Sequence, residues 1–302
     1  MSGHRLALLL FGGCALLLSL TDRAAAEQPK RKPDPTPFAV KVVGSGRPMI
    51  LIPGIGCGAD VWDGTGAHFK DRYECHVLTL PGFAGQPSVE GLFIQTARDG
   101  IIRYIADKKL DRPVIVGHSL GGTLAFAVGA KAPDKVGPIV AVDGVPCLSV
   151  LLDPTATPEN VKPFAEKERD RLQAQSAELF AQQNRLMLAT MITDPKEVKR
   201  VAASSSKSDP KAFAQAFFEL LMLDLRQEVK AIRTPVLLIG STALLPADER
   251  KKAEERYRQQ VAAVPKHKVI FAPKARHFIQ LDEPEFYFRE VAAFLKEKGG
   301  GK

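Results

Sequence analysis

The feature that most constrains the fold is the segment Gly-His-Ser-Leu-Gly at residues 117–121, which is followed by Gly122. It lies between the apolar run Val-Ile-Val at 114–116 and an apolar stretch with helical spacing. A strand that turns abruptly into a helix can hold a serine in a strained conformation with its hydroxyl exposed, and the flanking glycines leave room for neighbouring backbone. The start of the helix also directs backbone N–H groups towards the turn. The pattern therefore predicts that Ser119 is a nucleophile at the end of a buried strand.

Strand and helix patterns alternate along the rest of the chain, which predicts a mainly parallel sheet with helices on both faces. The predicted strands are residues 38–43, 49–52, 75–80, 113–116, 138–142, 235–239 and 268–271, and the predicted core helices are residues 92–107, 121–132 and 284–296.

About ninety residues without a strand signal separate the fifth and sixth predicted strands, which is too long for a bare connection. Apolar residues recur there at helical spacing. We therefore predict an α/β core of residues 38–145 and 230–298, with an inserted helical cap of residues 146–229. Four apolar cap residues are candidates for lining an acyl pocket: Met187, Met191, Phe213 and Phe217.

The first 26 residues have the pattern of a secretory signal peptide. Arg5 precedes an apolar run at residues 6–20, and three alanines at 24–26 fit a signal peptidase site. The run is shorter than the roughly 20 residues that a bilayer core requires. Residues 27–37 form a basic, proline-rich linker. We predict an exported protein, periplasmic or secreted, without stable membrane insertion after signal removal.

The composition excludes disordered, collagen-like and coiled-coil chains. The chain has 302 residues, of which 45% are hydrophobic and 25% charged, as in soluble globular proteins. The formal net charge is +8, but the basic residues are scattered without an accompanying aromatic stripe. A nucleic-acid partner is therefore not predicted, and the oligomeric state is left open.

The cysteines and glycines indicate no cofactor. Cys57, Cys75 and Cys147 have no zinc-binding spacing, although one disulfide among them is possible in an oxidising compartment, with the pair left open. Residues 117–122 lack the lysine of a phosphate-binding loop and the spacing of a dinucleotide fingerprint. We predict no metal, nucleotide or flavin.

A serine hydroxyl needs a base, and His277 is the predicted one. It follows the last predicted strand, at the sheet edge where Ser119 is expected. Position argues against the other five histidines, which lie in the signal peptide, on a helix, in a strand, beside the serine and before the last strand: His4, His68, His76, His118 and His267.

Five segments together resemble the α/β-hydrolase fold in its cap-bearing group of esterases, lipases, lactonases and cofactor-free haloperoxidases. They span about residues 38–297 in the order of that family. The segments are Leu-Ile-Pro-Gly-Ile-Gly at 51–56 with Trp62, Leu-Pro-Gly-Phe-Ala-Gly at 80–85, the serine turn at 117–122, Thr-Pro-Val-Leu-Leu-Ile-Gly at 234–240, and Arg-His-Phe at 276–278 with Asp-Glu-Pro-Glu-Phe at 282–286.

The resemblance implies an oxyanion hole formed by two backbone N–H groups, those of Leu120 and Ile55. Charge that develops on a carbonyl oxygen requires such prepositioned donors. Pro53 stands where the family often has a histidine, which matters little because the donor is a backbone group.

Two aspartates are candidates for the acid that orients the histidine. The family usually has it a few residues after the strand ending at Gly240, but Ser-Thr-Ala-Leu occupies residues 241–244. Asp248 follows in a helix start, where a capping role is natural. Asp143, at the end of the preceding strand, can reach across to the imidazole. We favour Asp143, with Asp248 as the alternative.

The sequence thus predicts a serine hydrolase that transfers an acyl group to water, most simply a carboxylesterase acting on small or medium apolar esters. The alternatives are a lactonase or peptidase of the same fold, and a catalytically silent binding protein. The missing carboxylate after Gly240 is the one argument for the silent protein.

Overall fold

The computed structural model describes residues 36–298. The predicted signal peptide and residues 27–35 of the predicted linker lie outside the described residues. The described chain contains seven strands, β1 (Ala39–Val43), β2 (Arg47–Ile52), β3 (Tyr73–Thr79), β4 (Val114–His118), β5 (Ile139–Val142), β6 (Val236–Ser241) and β7 (His267–Ala272).

All seven strands form one sheet in the order β1-β3-β2-β4-β5-β6-β7. β1 pairs antiparallel with β3, and the other five pairings are parallel. The mainly parallel sheet predicted from the sequence is confirmed, and each predicted strand agrees with the observed one to within two residues.

The helices of the described chain are α1 (Asp63–Phe69), α2 (Phe93–Asp107), α3 (Leu120–Lys131), α4 (Leu148–Leu152), α5 (Pro158–Gln173), α6 (Ala177–Met191), α7 (Pro195–Ser205), α8 (Pro210–Met222), α9 (Ala247–Gln260), α10 (Ile279–Asp282) and α11 (Pro284–Lys298), with 3-10 turns at Ala59–Trp62 and Glu228–Ala231. Within residues 36–298, no helix has the length and apolar character needed to cross a membrane.

The sheet is buried on both faces, as the strand β2 illustrates. Ile50 and Ile52 pack into a hydrophobic cluster with residues of α2 and α3. Met49 and Leu51, which alternate with them, pack into a second cluster with residues of α1 and α11. Burial on both faces explains why the central strands are continuous apolar runs rather than alternating patterns.

Five helices, α4–α8, lie between β5 and β6, inside the predicted insertion. Four of them begin at a residue whose side chain accepts a hydrogen bond from a backbone N–H group of the first turn, which satisfies donors that have no partner within the helix. These residues are Thr157, Ser176, Asp194 and Asp209.

A carboxylate on α8 joins the inserted helices to the core. The Glu219 oxygens accept hydrogen bonds from the backbone N–H groups of Phe93 (2.7 Å) and Ile94 (2.8 Å). These are the first two residues of α2, so an anion lies at the positive end of that helix. Glu219 therefore performs for α2 the role of an N-terminal capping residue, although it lies more than one hundred residues later in the chain.

All three described cysteines are buried free thiols, so the disulfide left open by the sequence is not formed among Cys57, Cys75 and Cys147. They lie on different elements: after β2, within β3 and immediately before α4. Burial raises the pKa of the Cys75 thiol to about 11, and it raises the pKa of the Cys57 thiol still further.

Candidate active site

Ser119 lies between β4 and α3 in a conformation that few residues adopt, with φ +53° and ψ −120°. A Cβ atom on Gly117 would lie 2.0 Å from the carbonyl oxygen of Gly121, and one on Gly121 would lie 2.1 Å from that of Ile52. Only glycine fits at either position, because the neighbouring atoms belong to backbone. The sequence folds here into the sharp strand–turn–helix that exposes a side chain at the sheet's carboxyl edge.

His277 lies in the loop between β7 and α10, where the sequence predicts it. Its Nδ1 atom is 2.6 Å from Oδ2 of Asp143. The carboxylate side chain is 7% exposed and the imidazole side chain 26%. Because an ionised carboxylate only accepts hydrogen bonds, Nδ1 is the protonated nitrogen, and the Nε2 lone pair is free to take a proton.

Asp143 follows the last residue of β5 and has a φ of +48°. Its Oδ1 atom accepts two hydrogen bonds, from the backbone N–H of Ser241 (2.9 Å) and from the hydroxyl of Tyr257 (2.6 Å). The structure thus brings Asp143 to His277. Asp248 lies elsewhere, exposed in the first turn of α9.

Ser119 and His277 line the same cavity. Among the described residues, no hydrogen bond joins the serine hydroxyl to the imidazole. Catalytic hydrogen bonds are often long in enzymes without substrate and tighten when substrate binds. Ser119 and His277 therefore share one cavity. In the described residues the imidazole is bonded to Asp143 and not to the serine hydroxyl.

The two predicted oxyanion donors differ in position. Ile55 lies on the cavity wall in the loop after β2, and Leu120 is the buried first residue of α3. In the part of the chain that the structure describes, neither backbone N–H donates a hydrogen bond to another protein group. Unpaired donors beside a nucleophile are the feature that an oxyanion hole requires.

The cavity has a volume of about 520 Å³ and is walled mainly by apolar side chains. All four predicted pocket residues line it: Met187, Met191, Phe213 and Phe217. Several other wall residues were not predicted from the sequence. They lie on α4, α5 and α9: Leu148, Leu151, Leu152, Phe164, Glu168, Arg171, Leu172 and Tyr257. Helix α4 is too short for the spacing of its apolar residues to show which of its faces lines the cavity.

The loop of His277 is attached to the end of helix α6. The Arg276 guanidinium donates to the carbonyl oxygen of Ala189 at 2.9 Å, and the Phe278 N–H donates to that of Met191 at 3.3 Å. A cation at the carboxyl end of a helix is favourable because unpaired carbonyl groups point towards it. The residues on both sides of His277 are thus bonded to a helix that lines the cavity.

His118, beside the serine, packs under this loop. Its Nε2 atom lies 3.1 Å from the carbonyl oxygen of His277, and its ring lies 4.4 Å from that of Phe278 between centroids. Burial and the nearby His277 imidazole lower the pKa of His118 well below its ordinary value, so this ring is neutral. The neutral His118 ring donates from Nε2 to the backbone of the loop, and it adds no charge next to the predicted base, His277.

Within residues 36–298, no cluster of three or more His, Cys, Asp or Glu side chains could hold a metal ion.

A parallel sheet with a strained serine turn at its carboxyl edge defines a class of α/β enzymes in which the turn presents the nucleophile. Residues 49–290 match the model of the Alpha/beta hydrolase family, and the chain belongs to that family. It is therefore an α/β-hydrolase family enzyme.

Individual relatives are distant but match along most of their length. The chain is 24% identical over 251 residues to a pimeloyl-[acyl-carrier protein] methyl ester esterase of Pectobacterium carotovorum, covering 82% of this chain and 94% of the relative. A protein of the same name from Nitrosomonas europaea is 24% identical over 256 residues, with 82% and 94% covered.

Two solved structures share the fold. An enol-lactonase from Burkholderia xenovorans LB400 has a TM-score of 0.71 at 17% identity, covering 86% of this chain and 96% of that one. A thermophilic esterase from Thermogutta terrifontis has a TM-score of 0.70 at 18% identity, with 86% and 93% covered.

Proposed function

We propose that this enzyme is a serine carboxylesterase that hydrolyses esters with small or medium apolar acyl chains. The observation that carries the proposal is the 2.6 Å contact between Asp143 and Nδ1 of His277, on a cavity that the Ser119 turn also lines. A carboxylate at Nδ1 selects the imidazole tautomer whose other nitrogen can act as a base. The same contact removes the one argument for a silent binding protein, since a carboxylate already meets the histidine.

In the first half of the reaction, the Ser119 hydroxyl attacks the ester carbonyl carbon while Nε2 of His277 takes its proton. The Ile55 and Leu120 N–H groups donate to the oxyanion of the tetrahedral intermediate. The intermediate collapses to an acyl-serine, and His277 passes the proton to the departing alcohol.

In the second half, His277 takes a proton from water, and the resulting nucleophile attacks the acyl carbonyl. Collapse of the second intermediate returns the proton to Ser119 and releases the acid. Asp143 keeps the imidazole oriented and stabilises its positive charge in both halves. Loss of one oxyanion donor in such sites typically costs about 3–4 kcal/mol of transition-state stabilisation.

The apolar cavity supports the substrate class. Its volume of about 520 Å³ is in the range of small-molecule sites, and its wall has few charged groups. Two relatives are named as methyl ester esterases, and a structural neighbour is named as an esterase. An apolar chain lying along Met187 and Phe213 would be removed from water as it binds, and each buried methylene contributes about 0.8 kcal/mol.

Covalent labelling tests the reaction class. A fluorophosphonate probe is expected to label the purified enzyme, and Ser119→Ala is expected to abolish labelling together with ester hydrolysis. If the probe does not label the folded wild-type protein, the result would support a binding protein instead. A panel of esters, lactones and amides then ranks the reactions, and faster turnover of amides or lactones than of esters would contradict the esterase assignment.

Acyl-chain length tests the substrate class. Along a series of p-nitrophenyl esters from acetate upwards, kcat/KM is expected to rise about fourfold per methylene until the cavity is filled. Met187→Trp should end that rise at a shorter chain. Leu186→Trp, an exposed neighbour on α6, is the matched control and should leave the profile unchanged. A flat profile in the wild type would contradict an acyl role for this cavity.

We also propose that the enzyme is exported, on the pattern of residues 1–26. Expression of the full chain in a bacterium, followed by fractionation and amino-terminal sequencing, checks this. The expected product is periplasmic or secreted and begins at Glu27. Recovery of a cytoplasmic product that starts at Met1 would refute export.

A further inference from the structure

We propose that Tyr257 is a positioning residue for catalysis, whose hydroxyl holds the Asp143 carboxylate so that one oxygen faces His277. The inference rests on the proposed esterase function and assigns a role to a residue that the reaction steps do not use.

The contacts divide the two carboxylate oxygens between two tasks. Oδ1 accepts from the Tyr257 hydroxyl at 2.6 Å and from the Ser241 N–H at 2.9 Å. Among the residues that the structure describes, the hydrogen-bond partner of Oδ2 is the imidazole of His277, at 2.6 Å. The two donors on Oδ1 fix the orientation of the carboxylate, so Oδ2 faces the imidazole. Hydrogen bonds to an ionised acceptor are about twice as strong as those between neutral groups.

The surroundings of Tyr257 keep its hydroxyl a donor. Burial and the negative charge of Asp143 raise the pKa of Tyr257 well above its ordinary value, so the phenol stays protonated. The ring packs edge-on against Phe271 of β7, with 5.7 Å between centroids. The donor is therefore fixed by packing and is not free to turn towards solvent.

The topology explains why such a donor is needed. Asp143 follows β5, whereas His277 follows β7, and β6 lies between these two strands. The carboxylate must reach past the end of β6 to meet the imidazole. Ser241 at the end of β6 and Tyr257 on α9 are the groups that hold the carboxylate along this path.

Tyr257→Phe tests the proposal because it removes the hydroxyl and keeps the ring in the cavity wall. We expect kcat for a p-nitrophenyl ester to fall about tenfold, with KM within about twofold of the wild type. With one donor fewer, more of the carboxylate's charge acts on the imidazole, which favours its protonated form. The acid limb of the kcat/KM profile should therefore move to higher pH, by about half a unit.

Other ionisable groups lie near this network: His118 beside His277, Arg256 beside Tyr257, and Glu168 and Arg171 on the wall of the same cavity. All of them are retained in the Tyr257→Phe enzyme, so they do not produce the shift. Tyr104→Phe is the matched control, because it removes a hydroxyl that bonds His76 outside the site. The kcat and the pH profile of Tyr104→Phe should equal those of the wild type.

A double-mutant cycle separates positioning from general stability. In an Asp143→Asn background, Tyr257→Phe is expected to lower kcat by less than about twofold, since the group it acts through is already gone. An equal loss in both backgrounds would overturn the proposal, as would an unshifted acid limb in Tyr257→Phe.

If Tyr257→Phe does not fold, site-specific 3-fluorotyrosine at position 257 replaces it. The fluorinated phenol is a stronger donor, so the acid limb should move to lower pH; an unmoved limb would count against the role. Fluorophosphonate labelling of the wild type tests the esterase assignment separately, and a labelled, active wild type with an unshifted variant would refute only the role of Tyr257.

Discussion

Replacing Asp143 by asparagine tests the site most directly, because the two side chains have the same shape. The asparagine has one acceptor atom and one donor group where the carboxylate has two acceptors. The Ser241 N–H cannot rotate, and it points at the Oδ1 position. The amide oxygen must therefore take that position, which leaves the amide NH₂ group facing Nδ1 of His277.

Two donors cannot face each other, so the imidazole is expected to move its proton to Nε2. A protonated Nε2 cannot accept the proton of Ser119. The same change of tautomer in a serine protease lowers kcat about 10⁴-fold, which corresponds to about 5 kcal/mol. We expect a loss of this size in kcat for Asp143→Asn.

The assay is hydrolysis of p-nitrophenyl butyrate, with active sites counted by fluorophosphonate titration of the wild type and concentrations matched by absorbance. Asp248→Asn is the control and should stay within about twofold of the wild type, because Asp248 is exposed in the first turn of α9. Retention of more than a tenth of the wild-type kcat by Asp143→Asn would refute the reasoning. So would a comparable loss in Asp248→Asn.

Three further outcomes follow from packing. Gly121→Ala places a Cβ 2.1 Å from the Ile52 carbonyl oxygen and should lower the free energy of unfolding by about 3 kcal/mol or prevent folding, as measured by thermal denaturation. Glu219→Gln turns an amide donor towards the start of α2 and should cost about 1–3 kcal/mol in urea unfolding. Cys75, buried and with its pKa raised to about 11, should react with Ellman's reagent only after unfolding.

The first two outcomes have controls in the same chain. Gly66→Ala in α1 meets no atom within 4 Å and should raise stability by about 0.5–1 kcal/mol. Glu255→Gln, on the exposed side of α9, should change urea unfolding by less than about 0.5 kcal/mol. The packing described above would be contradicted if Gly121→Ala were as stable as Gly66→Ala. It would also be contradicted if Glu219→Gln left urea unfolding unchanged, or if Cys75 reacted at once in the native protein.

Local patterns in the sequence were sufficient to predict the strands, the serine turn and the position of His277. Each of these depends on residues adjacent in the chain: an apolar run for a buried strand, glycines around Ser119, and a loop after the last strand. The helical character of the inserted segment was also predictable, since apolar residues recur there at helical spacing.

The acid and its support were harder to predict because they depend on distance in space. Asp143 directly follows a strand and Asp248 lies in a helix start, but neither position shows from the sequence alone which carboxylate meets His277 across the end of β6. Tyr257 gave a weak signal, as the one aromatic residue in the highly charged helix α9. A lone aromatic in such a helix is a reason to expect burial, but it does not indicate which group its hydroxyl contacts.

The bonds between the His277 loop and α6 have a consequence for how substrate preference can change. Since the Phe278 N–H donates to the carbonyl of Met191, the loop that carries the proposed general base is bonded to the helix that forms one wall of the proposed acyl pocket. Reshaping that helix to admit a new substrate would displace the base, so preference and rate would change together. Substitutions on α5 or α8, which carry wall residues without these bonds, can widen or narrow the pocket while the chemistry is kept.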